Sequence, residues 1–230
     1  MTQALVAEGV ALVEGAQRDG VTLRLLGGAA VVLHGSGVPY REIGDLDAVT
    51  GRKDVKRLTA VLQQRGYDAQ TRFNAMHGDR RLIFHGPAGK LDVFVERFEM
   101  CHRLELGARL ALDSPTIPVT DLLVTKLQVV ELNEKDARDL ADLLRHHSLG
   151  AGDGDHFDAE YLAALVGDDW GLWRTLTGTL DRLPTLAPDV GEQAIALRRV
   201  LDDAPKGRRW RMRARVGERK RWYELPDDLE

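Results

Sequence analysis

The chain has 230 residues, 43% of them hydrophobic and 30% charged, and carries a formal net charge of −4 at pH 7. This length is ample for a hydrophobic core, and the charge gives no global argument for nucleic-acid binding. The single cysteine, Cys101, excludes an intramolecular disulfide and fits a reducing compartment. The N-terminal segment lacks a basic start, and no window approaches ~18 uninterrupted apolar residues. We therefore predict a cytoplasmic protein with neither a signal peptide nor a membrane span.

The first part of the chain alternates predicted helices and strands around a pair of glycines. Apolar residues at helical spacing predict a helix over residues 3–18, and an apolar run predicts a buried strand over 23–26. Gly27 and Gly28 end that strand, and residues 29–34 continue as a short helix. A glycine pair between a strand and a helix lets the backbone approach a phosphate, and the helix N-terminus adds N–H donors and a positive dipole end. The pattern predicts a phosphate-binding turn.

Two carboxylates follow the short helix, after a loop that contains Arg41. Residues 45–49 predict a strand that carries Asp45 and Asp47 two positions apart, and side chains at this spacing point to the same face. Two carboxylates aimed together repel each other unless a cation lies between them, and Mg²⁺ prefers oxygen ligands of this kind. We therefore predict a metal site beside the phosphate-binding turn. The alternative is a simple turn, with Arg41 paired to Asp45 or Glu42 rather than to a phosphate.

The following segment completes a predicted mixed sheet. Residues 52–66 predict a helix with one apolar face, and residues 67–73, 81–84 and 91–95 predict strands separated by turns that contain glycine or proline. The last of these strands carries Asp92 within an apolar run. Helices and strands in this order predict an α/β fold in which helices pack on a mixed sheet.

The pattern becomes helical after residue 115. Five helices are predicted, over residues 121–132, 134–147, 158–166, 170–183 and 188–203. Thr120 is a suitable N-cap for the first of them, and Asn133 separates the first from the second. A tail rich in arginine and tryptophan follows. We therefore predict a core over residues 1–115, a helical C-terminal region over 116–205 and a basic tail over 206–230.

The basic tail has two interpretations. Its arginines are residues that contact phosphates, and Trp210 and Trp222 could stack on bases. In the other interpretation the tail is a solvated amphipathic element whose tryptophans pack on the rest of the protein. We favour the second interpretation.

Three motifs in order resemble the pattern of the nucleotidyltransferase superfamily, which shares the fold of DNA polymerase β and the aminoglycoside nucleotidyltransferases. They are GG-x-A, then R-x-x-x-D-L-D, then Asp92 in K-L-D-V-F-V. With TKLQ and NEKDARD downstream, the wider pattern is similar to the AbiEii-type nucleotidyltransferase-like proteins of bacteria. The resemblance covers residues 23–144. It implies a nucleotidyltransferase-fold mixed sheet with flanking helices, followed by a helical region.

The resemblance also implies roles for individual residues. The metal ligands, for one or two Mg²⁺ ions, would be Asp45, Asp47 and Asp92, and Asp92 would also accept the proton of the attacking hydroxyl. The nucleotide would be contacted by Gly27, Gly28, Arg41 and Lys126. A further catalytic carboxylate would be Asp139, or Asp136 on a neighbouring face of the same predicted helix. Lys126 has an alternative, in which its stem is buried and its ammonium stays at the surface. Gly28 stands where the family often has serine, so that hydroxyl is absent here.

The function that the resemblance implies is Mg²⁺-dependent transfer of a nucleoside monophosphate from an NTP to a hydroxyl. The acceptor could be a small molecule, a protein side chain or the 3′ end of an RNA such as tRNA. The AbiEii resemblance implies a toxin that is paired with an antitoxin protein. Two alternatives are a catalytically inactive relative that binds a nucleotide or a partner protein, and a nucleic-acid-binding module that uses the tail.

Overall fold

The computed structural model describes residues 2–225, and the chain divides there into two compact units. The first comprises the chain up to Phe98 together with Leu104–Leu122, and the second comprises Glu99–Arg103 and the chain from Leu123 onward. Met1 and residues 226–230, to which the predicted core and the predicted tail extend, lie outside the described residues. Within residues 2–225 no helix is both long and apolar enough to cross a membrane.

The first unit is built on a mixed five-stranded sheet with the order β1-β2-β5-β4-β3. The strands are β1 (Leu23–Leu26), β2 (Asp45–Thr50), β3 (Asp68–Ala69), β4 (Arg81–Gly86) and β5 (Gly89–Val95). β2 and β5 run parallel, and the other neighbours are antiparallel. In register, Asp47 lies opposite Asp92 on one side and opposite Leu26 on the other. Because partners across a ladder point to the same face, this pairing places the two carboxylates side by side.

Four helices flank this sheet: α1 (Thr2–Arg18), α2 (Gly27–His34), α3 (Val55–Gln64) and α4 (Thr71–His77). Helix α1 packs on β1 and β2 at Gly9, where an added Cβ would lie 3.1 Å from the side chains of both Leu25 and Leu46. Leu46 lies between Asp45 and Asp47 in β2, so alternation sends its side chain to the α1 face and theirs to the opposite face. One face of the sheet is therefore an apolar core, and the other carries the carboxylates.

One predicted strand is wrong. Only Asp68–Ala69 of residues 67–73 is extended, and helix α4 begins at Thr71. The Asn74 side chain explains the change, because it accepts from the Ile83 N–H at 2.8 Å and donates to the Ile83 carbonyl at 3.0 Å. The Ile83 carbonyl also accepts from the Gln70 N–H at 2.9 Å, but the Ile83 N–H is taken by Asn74, so the pairing of β3 with β4 ends at this point.

The second unit is mainly helical. The helices of the C-terminal half are α5 (Val119–Leu127), α6 (Glu134–His146), α7 (Ala159–Gly167), α8 (Trp170–Leu186), α9 (Gly191–Asp203) and α10 (Arg208–Val216). Two short pairs of strands complete the described chain, β6 (Arg97–Glu99) with β7 (Arg103–Glu105) and β8 (Leu149–Gly150) with β9 (Phe157–Asp158). The predicted class is confirmed: an α/β fold with a mixed sheet, flanking helices and a helical C-terminal region.

Helix boundaries differ from the sequence pattern at three points. Helix α5 begins at Val119 and ends at Leu127, so Thr120 lies inside its first turn and does not cap it. Asn133 does cap α6, because its side chain accepts from the Asp136 N–H. Helix α9 starts at Gly191, after one 3₁₀ turn at Pro188–Val190.

Candidate active site

The turn from β1 into α2 is shaped around Asp47. Gly27 has a φ of +65°, a left-handed conformation that only glycine adopts without strain. A Cβ at this position would collide with Oδ2 of Asp47, so the missing side chain lets the carboxylate lie against the head of the helix. Leu26 occupies the N-cap position and offers no side-chain acceptor to the first N–H groups of α2. The turn therefore combines a close approach to the backbone with an adjacent carboxylate and a helix N-terminus.

Arg41 lies over the second glycine. Its Nη2 atom is 2.7 Å from the point where a Cβ of residue 28 would stand, so a larger side chain there would displace the guanidinium. Its Nη1 atom donates to the backbone oxygen of Glu42 at 3.0 Å. The structure thus brings Gly27, Gly28, Arg41 and Asp47 together at the head of α2. A guanidinium at this place adds a charged donor to the helix N–H groups, and both favour an anion.

Asp92 is buried and only partly satisfied. Its side chain is 2% exposed, and its Oδ2 atom lies 2.9 Å from both Arg81 Nη2 and Lys90 Nζ. Its Oδ1 atom is buried and has no hydrogen-bond partner within residues 2–225. A buried acceptor without a donor costs ~1–3 kcal/mol, and more for a charged group. A cation or a donor that arrives with a ligand would remove this cost, so Oδ1 marks a place where binding is favourable.

Sequence reasoning assigned no role to Arg81 and Lys90. The signal for Lys90 is present in the sequence, because it precedes Asp92 by two positions in one strand and therefore shares its face. Arg81 reaches Asp92 from β4, and its place depends on a register that pairs it with Phe94. The structure therefore adds two cations to the predicted group of charges.

Asp45 stands at the open end of the same face. It begins β2, is half-buried, and has Lys90 as its register partner. Its side chain has no hydrogen bond or ion pair to any other of residues 2–225.

The aspartates of this face form an open group rather than a closed cage. Among the described residues, Asp45, Asp47 and Asp92 are not drawn within 4.8 Å of one another. Strand residues two positions apart are separated by ~7 Å, which accounts for the wide spacing along β2. Mg²⁺ usually takes only one or two protein carboxylates and completes its shell with water and substrate phosphates. An open acidic face with one unpartnered buried oxygen therefore fits a Mg²⁺ ion that binds together with a nucleotide.

Lys126 and Asp139 form an ion pair of their own in the second unit. Lys126 Nζ lies 2.7 Å from Asp139 Oδ2, and the two side chains are 12% and 0% exposed. Neither oxygen of Asp139 is left without a partner. Asp136 instead lies in the first turn of α6, where its N–H donates to Asn133 Oδ1 at 2.9 Å. The pairing explains how a lysine can be buried here, and a catalytic role for Lys126 or Asp139 stays a prediction.

The comparisons with known proteins found similar solved structures but no similar sequence. No protein-family model and no curated protein matches the sequence. The chain is similar in structure to an antigenic nucleotidyltransferase-like protein from Paracoccidioides brasiliensis, with 15% identity, a TM-score of 0.46, and coverage of 88% of this chain and 94% of the other. It is also similar to the antibiotic-resistance factor ANT(2″)-Ia, with 13% identity, a TM-score of 0.44, and coverage of 95% and 97%.

A third similar structure is the lincosamide antibiotic adenylyltransferase LnuA in its lincomycin-bound form. It has 17% identity and a TM-score of 0.42, and the match covers 58% of this chain and 92% of LnuA. At these scores the activities of these proteins do not transfer to this chain. The functional argument therefore rests on the residues of the site.

Proposed function

We propose that the acidic face of β2 and β5 binds a nucleoside triphosphate with Mg²⁺ and transfers its nucleoside monophosphate to a hydroxyl acceptor. The observation that carries the proposal is the buried Oδ1 atom of Asp92, which lacks a partner within residues 2–225 and belongs to the residue in register with Asp47. The glycine turn that packs against Asp47 adds a phosphate-binding element at the same place.

Each part of the site then has a task in the reaction. The head of α2 and the Arg41 guanidinium bind the phosphates and orient them for in-line attack. Asp45 and Asp47 would hold Mg²⁺, which would neutralise charge on the phosphoryl group that is transferred. The acceptor oxygen forms a bond to the α-phosphorus while the bond to pyrophosphate breaks, and pyrophosphate leaves.

Asp92 is the group placed to accept the acceptor's proton. Arg81 and Lys90 both hold Oδ2, so Oδ1 is the oxygen that remains for the incoming hydroxyl. A general base must reach the proton that it takes, and burial of the carboxylate away from water strengthens that interaction. Arg81 and Lys90 act as positioning residues in this scheme, because they fix the orientation of the carboxylate.

A second function is favoured by the same two cations. Arg81 and Lys90 already neutralise Asp92, and a carboxylate with two cationic partners has less need of a metal ion. This arrangement is also compatible with a protein that keeps the fold and binds a nucleotide or a partner protein without catalysis. It would bind the nucleotide equally well with and without Mg²⁺, which separates it from the enzyme.

Calorimetric titration with ATP, GTP, CTP and UTP tests the proposal. The proteins are the wild type, Asp45→Asn/Asp47→Asn, and the matched control Asp68→Asn/Asp79→Asn, which removes two exposed aspartates from the same unit. Binding that requires Mg²⁺ and is lost only in the first variant supports the enzyme. Binding that ignores Mg²⁺ and survives in both variants supports the inactive relative. The absence of any nucleotide binding rules out the enzyme and leaves a relative that binds a partner protein.

Transfer of label from the α-phosphate of the preferred NTP identifies the acceptor. Incubation with RNA, protein and small-molecule fractions separates the three predicted acceptor classes, because the label follows the class that carries the reacting hydroxyl. Label in the 3′-terminal nucleotide of tRNA would extend the proposal towards the predicted toxin role. The antitoxin partner stays a prediction of the resemblance.

A further inference from the structure

Helix α10 and the residues after it concentrate positive charge. From Lys206 to Arg221 the sequence has nine Lys and Arg residues and one acidic residue, Glu218, in a chain with a net charge of −4. Six exposed members of this group form what we call the basic face: Arg208, Arg209, Arg211, Arg215, Arg219 and Lys220. Nine of the 32 Lys and Arg residues of this acidic protein therefore lie in one short segment, with a single acidic residue among them.

The basic face is not neutralised by neighbouring carboxylates. None of its six side chains forms an ion pair with any carboxylate of residues 2–225. Three other arginines of the second unit do form ion pairs: Arg138 with Glu134 at 3.2 Å, Arg145 with Asp189 at 2.7 Å and Arg174 with Glu218 at 2.6 Å. In the described part of the chain, exposed arginines without an ion pair also occur singly on α8 and α9, at Arg182 and Arg199, but only the basic face groups several of them. Glu218, the acidic residue within this segment, thus pairs with Arg174 and not with a residue of the basic face. Like charges at helical spacing repel each other, so an anionic ligand would relieve a cost that the fold leaves in place.

The other side of α10 holds the helix firmly in the second unit. The Trp210 ring lies 5.2 Å from the Trp173 ring, and the Arg213 guanidinium lies 4.7 Å from the centre of the Trp170 ring. Trp222 packs edge-on against Trp170 at 5.8 Å. The tryptophans therefore pack within the unit, as the second interpretation of the tail predicts, and they are not presented as a platform for bases.

We infer that the basic face binds the phosphodiester backbone of a nucleic acid without reading its bases. Charge complementarity carries the inference: a helix of nine residues is ~14 Å long, and a duplex presents one negative charge per ~1.7 Å of its axis. Binding through phosphates alone is independent of sequence and falls steeply with salt. RNA and DNA offer the same backbone charge, and this binding does not depend on the carboxylates of the first unit.

The apolar residues of α10 argue against an anionic membrane as the ligand. Amphipathic helices that lie in a membrane interface insert Trp, Phe or Leu side chains from their apolar face. The outward side of α10 has only Met212 and Val216 as exposed apolar residues, while its tryptophan packs inward against Trp173. Nothing large enough to insert is therefore left on the side that carries the charge.

Fluorescence anisotropy of labelled duplexes tests the inference on the full chain. An RNA duplex and a DNA duplex of unrelated sequence are titrated at salt concentrations from about 50 to about 200 mM. The test variant is Arg208→Gln/Arg209→Gln/Arg215→Gln, and the control Arg138→Gln/Arg182→Gln/Arg199→Gln removes the same charge from exposed positions on α6, α8 and α9. Glutamine has nearly the helix propensity of arginine, so unchanged circular dichroism is expected in both.

We expect the wild type and the control to bind both duplexes with similar affinity and steep salt dependence. The test variant should bind at least about 10-fold more weakly, and the slope of log K against log salt should fall by about 0.9 for each lost phosphate contact. Equal weakening in the control, undiminished binding in the test variant, or no binding at the lowest salt would overturn the inference. Binding to phosphatidylserine vesicles with none to either duplex would also overturn it, in favour of a membrane.

Discussion

Two buried aspartates, one in each unit, differ in how completely their partners satisfy them. Asp92 in β5 is 2% exposed and lies 2.9 Å from Lys90, while Asp139 in α6 is 0% exposed and lies 2.7 Å from Lys126. Both oxygens of Asp139 have partners, whereas Oδ1 of Asp92 has none among residues 2–225. The two residues are therefore of the same type and are both buried. They differ in that both oxygens of Asp139 have partners, whereas Asp92 keeps one oxygen that can bind a ligand.

The cations that contact the two aspartates differ in their exposure to solvent. Arg81 and Lys90 are 28% and 38% exposed, while Lys126 is only 12% exposed. Partly exposed cations reach water when their partner is removed, but a buried one stays uncompensated. The comparison therefore predicts that neutralising the Asp139 pair affects stability and that neutralising Asp92 affects ligand binding and turnover.

The largest expected effect is on stability, from Lys126→Met. This change leaves the Asp139 charge buried without its cation, which should lower the free energy of unfolding by about 3–5 kcal/mol. Urea denaturation measures the effect, and Lys126→Met/Asp139→Leu should recover much of it, because the buried charge is then removed as well. If Lys126→Met instead left stability unchanged and abolished nucleotidyl transfer, Lys126 would be the catalytic residue that the resemblance implies.

The next effect is on activity, from Asp92→Asn. Loss of the proposed base should reduce nucleotidyl transfer at least about 10²-fold. Its unfolding curve should stay close to that of the wild type, since Arg81 and Lys90 can turn to water. The mirror variant Asp139→Asn should show the reverse pattern, with lower stability and nearly normal transfer by the remaining folded protein. Full activity in Asp92→Asn would remove the distinction between the two aspartates.

A smaller effect is expected from Gly27→Ala, with Gly37→Ala as its matched control. Both glycines have positive φ, +65° and +70°, so each substitution carries a left-handed backbone cost of about 1–2 kcal/mol. A Cβ at Gly27 also collides with Asp47 Oδ2, whereas a Cβ at Gly37 meets nothing within 4 Å. We expect Gly27→Ala to be the less stable variant and to lose Mg²⁺-dependent nucleotide binding, while Gly37→Ala keeps it. Equal losses in both variants would mean that the contact with Asp47 is unimportant.

The sequence predicts those parts of the site that depend on residues close together along the chain. The strand, glycine turn and helix at residues 23–34 follow from neighbouring residues, and the shared face of Asp45 and Asp47 follows from their spacing in one strand. Asp92 is singled out by the family resemblance, as a carboxylate within an apolar run that is itself visible in the sequence.

The parts that the sequence does not predict depend on partners that lie far along the chain. Arg81 reaches Asp92 through the register of β4, and Lys126 meets Asp139 across a helix break. The same cause explains the wrong strand at residues 67–73, because Asn74 binds Ile83 rather than continuing a local pattern. Long-range pairs of this kind determine whether every oxygen of a buried carboxylate has a partner. The spacing of residues along the sequence does not predict such pairs.

The smallest effect is a pH dependence that comes from His102 in the second unit. Burial lowers the pKa of His102 from its usual 6.5, against the opposing influence of Asp169. Its Nε2 atom lies 2.8 Å from Thr175 Oγ1, which accepts a hydrogen bond from Trp222 Nε1 at 3.0 Å. A hydroxyl that accepts from the indole can donate to an unprotonated Nε2, so this chain of bonds suits the neutral imidazole.

The sign of the dependence follows from the lowered pKa. The unfolded chain binds the proton more readily, so the contribution of His102 to stability is complete above pH 6.5 and is lost as the pH falls below 6.5 towards the pKa of the folded state. Thermal unfolding between about pH 7.5 and about pH 5 should therefore show a steeper loss of stability for the wild type than for His102→Gln, which cannot titrate. The other acidic and basic groups are common to both proteins and cancel in the difference. Parallel curves, or a wild type that gains stability as the pH falls, would show that Thr175 and Trp222 do not hold the imidazole neutral.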